Sequence, residues 1–288
     1  MVSTIGQTNL RGENINRAVK GFALKEFKLK QVLLEQTSNK WTETYYRETA
    51  TELDVQDSGG AVAIKGTPRL ASFPNLEPSW TKVQGTHIKF AGEATISMED
   101  KLTDAIDVQA RAYIRVARAI AKQVDDYIYT ELSGATGINT AAAAATWDNA
   151  TVANRDPIGD ILTGIQYLDE DGYDALENGY ILLSPKDYKN LLRHTDVVNN
   201  PSFKTADVVS NGVVGQIAGL KIIKTNAVAA DEAMIIKAKT AATWKGAVPL
   251  STAIITDEGI KYTLRAWEIG QCQVTDPEAI HVITNTQT

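Results

Sequence analysis

The longest sustained pattern of apolar and polar positions runs from Ser97 to Ser133, SMEDKLTDAIDVQARAYIRVARAIAKQVDDYIYTELS. Apolar side chains recur at Leu102, Ile106, Tyr113, Val116, Ile120, Val124, Tyr127, Ile128 and Leu132, mostly in steps of three, four or seven, which trace one helical stripe. Ser97 followed by Asp100 makes a capping-box-like start, and Glu99, Asp100 and Asp104 sit near the positive end of the helix dipole. No Gly or Pro interrupts the run, and Gly134 and Gly137 supply a stop. The pattern predicts a helix about 50 Å long at about 1.5 Å per residue. Ordering each residue costs about 1–2 kcal/mol, so the stripe needs a sheet or a partner beneath it.

The pattern changes on either side of this helix. Residues 1–13 read as a polar extension, and Asn14 to Thr37 as a loosely periodic helix through Ile15, Val19, Phe22, Phe27, Val32 and Leu33. Residues 41–95 begin with WTETYYRETATELDV and end with TKVQGTHIKFAGEATI, separated by turn signals at Ser58-Gly59-Gly60 and Gly66-Thr67-Pro68 and by Pro74 and Pro78. They predict a two-stranded excursion with an irregular tip. Isolated ribbons are marginal in water, so this one needs another subunit or its own domain to lie on.

After the helix, ATGINTAAAAATWDNAT reads as a connection, with a short helix open from Ala141. Asp156-Pro157 and Ser184-Pro185 each place a cap before a first-turn proline, predicting helices over PIGDILTGIQYLDEDGYD and PKDYKNLLR on either side of a buried strand, Gly179–Ser184. A strand pair is expected around Gly215 and Gly219, then strands at Ala233–Lys239, Ser251–Gly259, Ile260–Val274 and Ala279–Asn285. Helices and strands mix without regular βα alternation, so the class is α+β.

Composition narrows the picture. The chain has 288 residues, 43% of them apolar, enough for a large core in one elaborate domain or two. No membrane-spanning run or signal-peptide pattern is present. The single cysteine, Cys272, excludes an internal disulfide and a multi-cysteine zinc site. The net charge of −6 is uneven, with residues 1–40 at +4 and the remainder at −10. A basic arm on an acidic body predicts that the arm meets an acidic neighbour, either nucleic acid or another copy.

The chain carries no GxxxxGK[ST], GxGxxG after a strand, HExxH, GxSxG or CxxC pattern. His281 and Cys272 lie in apolar strands and read as structural, and the acids of Asp169–Asp174 read as a solvated turn because they lack calcium-loop spacing. No cofactor or metal is implied. The acidic body would repel phosphate, leaving the arm as a nonspecific nucleic-acid contact.

An arm, a long β-excursion, EATISMEDKLTDAIDVQARAYIRVARAIAKQVDDYIYTELSGATG, SPKDYKNLLR, VVGQIAGLKIIKTNAV and RAWEIGQCQVTDPEAIHVIT, in that order, resemble the major capsid proteins of tailed double-stranded-DNA viruses and their Hong Kong 97-type fold. The resemblance covers nearly the whole chain and lies in the order of parts, since the family has no invariant signature. It implies an N-terminal arm over 1–40, an extended β-loop over 41–95, a peripheral domain with its spine helix over 96–134, an axial domain over 135–240, and a return to the peripheral domain over 241–288. It further implies pentamers and hexamers that close into an icosahedral shell around packaged double-stranded DNA in a virion or prophage particle, assembled in the host cytoplasm without a membrane. Scaffolding, portal or decoration proteins are the further partners.

In this resemblance, inter-subunit contacts are expected at Lys20, Lys25 and Lys28 on the arm, and at Gly59, Gly60, Lys65, Gly66 and Pro68 on the loop. Scaffolding would be separate, already removed or unnecessary, because the arm begins almost at Met1. Some relatives crosslink a loop lysine to an asparagine; Lys65 lies near the tip, but no Asn partner is identifiable and no crosslink is assigned. Two other readings stand beside the capsid. One is an encapsulin-like compartment that holds cargo protein, and the other an enzyme with an unrecognised site.

Overall fold

The structure, a computed structural model, describes residues 27–48, 56–57, 60–61, 69–70, 72, 80–103, 108–195, 197, 215–257 and 259–288. In chain order its strands and helices begin with β1 (Leu34–Thr37), β2 (Thr42–Glu48), β3 (Gln56–Asp57), β4 (Gly60–Ala61), β5 (Trp80–Thr86) and β6 (Ile88–Ser97). Next come α1 (Met98–Thr103), α2 (Val108–Ser133), β7 (Asn139–Ala142), α3 (Pro157–Glu170), β8 (Gly179–Leu183) and α4 (Pro185–Leu192). The last are β9 (Gln216–Ile217), β10 (Leu220–Lys224), β11 (Glu232–Lys237), β12 (Ala242–Asp257), β13 (Lys261–Val274) and β14 (Ile280–Thr284). The mixture is α+β, as the pattern predicts.

Two compact units emerge. The first gathers the described residues within Met1–Glu43, Gly85–Thr130 and Trp244–Gln273; the second gathers those within Thr44–Gln84, Glu131–Thr243 and Val274–Thr288.

The first unit is built on a four-stranded sheet, β1-β12-β13-β6. β13 lies antiparallel to β6, pairing Leu264 with Ala94, Ala266 with Gly92 and Glu268 with Phe90. Directly opposed residues share a face, so Leu264, Ala266 and Glu268 are buried together while Arg265 and Glu93 stay on the wet face and form an ion pair at 2.9 Å. The apolar stripe of α2 is buried at Tyr113, Val116, Ile120, Val124 and Ile128, with Val116 and Ile120 beside Gly92 of the sheet. Tyr127, Phe90 and Trp244 close this core with ring centroids 5.5–6.5 Å apart.

The second unit holds a six-stranded sheet in the order β7-β14-β11-β8-β10-β9. Its central strands are apolar on both faces: Ile181, Leu182 and Leu183 of β8 and Ala233 to Ile236 of β11 are all fully buried. Helix α3 starts where expected, with Pro157 in its first turn and the Asp156 carboxylate accepting from the Gly159 amide at 2.9 Å. Its face of Ile161, Ile165 and Leu168 packs on the sheet. Gly164 is required there, because a Cβ would fall 2.6 Å from Ile235 Cδ1 and 2.8 Å from His281 Cδ2. The β9–β10 hairpin turns through Ala218 and Gly219, both at positive φ, which suits the twist of a two-residue turn.

Several expectations are corrected. The periodicity over 14–37 does not end as a helix: residues 30–32 form one 3-10 turn and 34–37 are strand β1, on the edge of the first sheet next to β12; residues 14–26 lie outside the described part. Residues 139–142, which read from sequence as a connection, pair in parallel with β14, because a sheet edge offers hydrogen bonds that local propensity does not show. β12 begins nine residues before the expected Ser251, running through Gly246 and past Pro249 at an exposed position. The helix over 97–133 is described as α1 and α2, residues 104–107, with Ile106 of the stripe, lying outside the described part; Leu102 is exposed, and Tyr113 is buried. Apart from these corrections, β14 pairs with β11 and falls in the second unit.

Candidate assembly surfaces

The described residues begin at Phe27, and the segment that follows is clasped at once. The amides of Lys28 and Leu29 donate to the two Asp125 carboxylate oxygens at 3.0 and 3.2 Å. Burial pushes the Asp125 carboxyl up to about 6, against the opposing pull of those amides and of Lys30 and Lys28. Leu29, Val32 and Leu33 bury almost completely, and the Ser38 amide donates to the Gly246 carbonyl at 2.9 Å.

Lys30 is the centre of this clasp. Its Nζ pairs with Glu268 Oε1, lies 3.8 Å from the Phe27 ring centroid and 4.8 Å from that of Trp244, and is almost wholly buried. An open hollow of about 410 Å³ borders the pair, lined by Phe27, Lys30, Gln31, Glu35, Pro249, Leu250 and Glu268. Replacing Asp125 with Ala should strand two amides, destabilise the clasp by about 1–2 kcal/mol and speed tryptic cleavage at Lys28 and Lys30 roughly tenfold. Unchanged digestion kinetics would show that the clasp does not depend on this carboxylate.

The second surface is the β2/β5 pair, a sheet of two strands. Neither strand has a buried residue: positions alternate between exposed and half-buried, and Tyr46 and Trp80 are exposed by 61% and 51%. The Arg47 guanidinium donates to the Val274 carbonyl at 3.2 Å and the Glu48 amide to the Thr275 carbonyl at 2.9 Å, so the end of β2 is pinned; near its start the Glu43 carboxylate accepts from Ser38 Oγ and Gln273 Nε2, and the alternate face with Tyr46 stays exposed. β3 and β4 form a further short antiparallel pair, Gln56 with Ala61 and Asp57 with Gly60.

Of the expected contact residues, Lys28 stands at the clasp, half-buried, with its amide on Asp125. Gly60 is in β4. Lys20, Lys25, Gly59, Lys65, Gly66 and Pro68 lie outside the described residues. Sequence reasoning missed Asp125, Lys30 and Glu268; the one available signal was Glu268 at alternate spacing with Leu264 and Ala266 in the strand expected over Ile260–Val274, a carboxylate on an apolar face, which demands a buried cation.

The remaining candidate chemistry is structural in form. Cys272 is a buried thiol. His281 is fully buried and stacked on Tyr167 at 5.2 Å, and burial lowers its pKa to about 4. His194 Nε2 lies 2.9 Å from the Arg155 carbonyl. Among the described residues no group of three His, Cys, Asp or Glu is placed to hold a metal ion, and no helix is long and apolar enough to cross a membrane.

Comparison with known proteins agrees with the architecture. A family model described as phage capsid protein matches residues 81–283. No curated protein matches the sequence. Among solved structures, a virus-like particle from Pyrococcus furiosus is similar with a TM-score of 0.65 and 13% identity, over 94% of this chain and 98% of that one. The capsid of Cyanophage P-SCSP1u gives a TM-score of 0.65 and 12% identity over 91% and 89% of the two chains. The mature capsid of bacteriophage PhiM1 gives 0.62 and 15% identity over 89% and 86%. At these identities the likeness is one of fold.

Proposed function

Because the chain belongs to the phage capsid protein family and has the Hong Kong 97-type fold, we propose that its copies assemble as pentamers and hexamers into an icosahedral virion shell enclosing double-stranded DNA. The observation that carries this reading is the β2/β5 ribbon, two strands with exposed Tyr46 and Trp80 and no buried face, which gains a partner when it lies on a neighbouring subunit. In this scheme residues 1–40 are the arm and 41–95 the extended loop. Residues 96–134 supply the spine of the peripheral domain, 135–240 the axial domain, and 241–288 the return. Lys20, Lys25 and Lys28, with Gly59, Gly60, Lys65, Gly66 and Pro68, contact neighbouring copies. Assembly takes place in the host cytoplasm, with scaffolding, portal or decoration proteins as partners.

Negative-stain microscopy of the expressed chain should show closed particles of uniform size, and particles from infected or induced cells should protect double-stranded DNA from nuclease. Deleting residues 57–67 should leave folded subunits that elute as small oligomers and close no normal shell. Normal particles from the deletion would remove the loop from the mechanism, and a monomeric wild-type chain would remove the shell. The fold shared with a virus-like particle supports a second reading, a compartment around cargo protein; nuclease-resistant DNA separates the first from the second, which predicts a co-purifying protein in its place.

A further inference from the structure

Helix α2 presents a second stripe, opposite in character to its buried one. The acidic balance beyond residue 40 predicts repulsion of phosphate, but it is uneven: from Val108 to Gln123 the sequence has no acid and holds Arg111, Arg115, Arg118 and Lys122. Steps of four, three and four place them within a narrow arc of the helix, and all four are exposed. They span roughly 17 Å along the axis. Among the described residues, Arg111, Arg115 and Lys122 form no ion pair. Like charges four residues apart repel, so Arg111 beside Arg115 and Arg118 beside Lys122 concentrate positive potential on this face.

The rest of the exposed face decides what kind of anion. Between Arg111 and Gln123 the only other exposed residues are Ala119 and Gln123. Protein interfaces are centred on buried aromatic or aliphatic anchors, with charge pushed to the rim. This stripe offers no such anchor, whereas the β2/β5 ribbon, with Tyr46 and Trp80, does. Contact with a phosphate backbone needs only positioned cations and no apolar centre, and it carries no base specificity.

We propose that Arg111, Arg115, Arg118 and Lys122 form a sequence-independent contact surface for the phosphates of double-stranded DNA. This rests on the shell reading for its biological setting, but the contact itself belongs to the subunit and is measurable on it.

The test compares the full-length chain with a variant carrying Arg111→Gln, Arg115→Gln, Arg118→Gln and Lys122→Gln, and with a control of equal charge change, Arg193→Gln, Lys221→Gln, Lys239→Gln and Lys261→Gln. Binding to a random-sequence 30-base-pair duplex is followed by fluorescence anisotropy from 50 to 200 mM salt. Four phosphate contacts contribute about −3.6 to the slope of log affinity against log salt, or roughly a hundredfold in affinity over that range. The stripe variant should lose most of that contribution, equally for duplexes of different sequence, while the control keeps it and any share due to the N-terminal arm persists in both. Arg-to-Lys exchange at all three arginines should retain the slope, because charge is conserved. If the quadruple variant does not fold, Arg115→Gln with Lys122→Gln should show about half the loss.

An unchanged slope in the folded stripe variant overturns the proposal and leaves the shell reading intact. A variant that binds DNA normally but forms no particles overturns it too, and assigns the stripe to a neighbouring subunit. Absence of particles from the wild-type chain removes the shell reading, while the anisotropy comparison still decides the contact.

Discussion

Substituting Met for Lys30 is expected to destabilise the dispersed subunit by about 3–5 kcal/mol in urea titrations. The reason is what the substitution leaves behind. Glu268 stands on the helix-facing side of β13 with its side chain almost wholly buried, and its Oε2 already has no hydrogen-bond partner among the described residues. Taking away the ammonium strands a buried carboxylate beside Leu264 and Ala266, on the same face of the strand, and an unpaired buried charge costs far more than an exposed one. The neighbouring hollow admits water at one edge, which places the loss toward the lower end of that range. Glu268→Met alone should be costly for the reciprocal reason. The double variant, Lys30→Met with Glu268→Met, should recover most of the stability, because two methionines can occupy the same space without a charge to solvate. A double variant as unstable as the worse single one would show that the loss comes from packing of the arm and not from the pair.

Glu268 also shows where the sequence stops being legible. The alternation of YTLRAWEI announces two faces, and hydropathy favours that of Leu264 and Ala266, but hydropathy would keep Glu268 itself in water. Register with β6 instead buries Leu264, Ala266 and Glu268, and that register depends on a strand more than 160 residues earlier in the chain. The same limit explains β1. Residues 34–37 have no strong local preference, and they become strand because β12 supplies an edge from more than 200 residues away.

What could be read was what local physics determines. Val116, Ile120, Val124, Ile128 and Leu132 fall on the predicted stripe and are all buried. The caps at Asp156 and Ser184 hold because a side-chain oxygen followed by proline decides a helix start within four residues. The assembly surfaces were less legible for a different reason. Glycines and lysines at 59–68 mark a turn in any protein, and nothing in their local chemistry says what the turn touches. The exposed Tyr46 and Trp80 became informative only once their strand pair was seen to lack a buried face.

Acid should weaken the second unit through His281, and the size and direction of the effect follow from its surroundings. The imidazole sits in β14 opposite Ile235, stacked on Tyr167 and close against Gly164, with no exposure and no hydrogen-bond partner on either nitrogen among the described residues. Burial lowers its pKa from 6.5 to about 4. The unfolded chain therefore takes up a proton first. The contribution to stability is complete above about pH 6.5, shrinks as the pH falls from there toward 4, and flattens below 4 where both states are protonated. The difference amounts to about 3 kcal/mol at 1.36 kcal/mol per pH unit. Asp160 and Asp187 are raised by burial and act in the opposite sense, so the wild-type curve alone would blur the effect. The informative quantity is the difference between wild type and His281→Leu, which preserves an apolar side chain of similar size but cannot titrate. Between pH 7 and pH 4 the wild type should lose about 3 kcal/mol relative to the variant, measured by urea denaturation at each pH. Parallel curves would mean that the imidazole becomes protonated in place, with the strand opening locally to let water reach it.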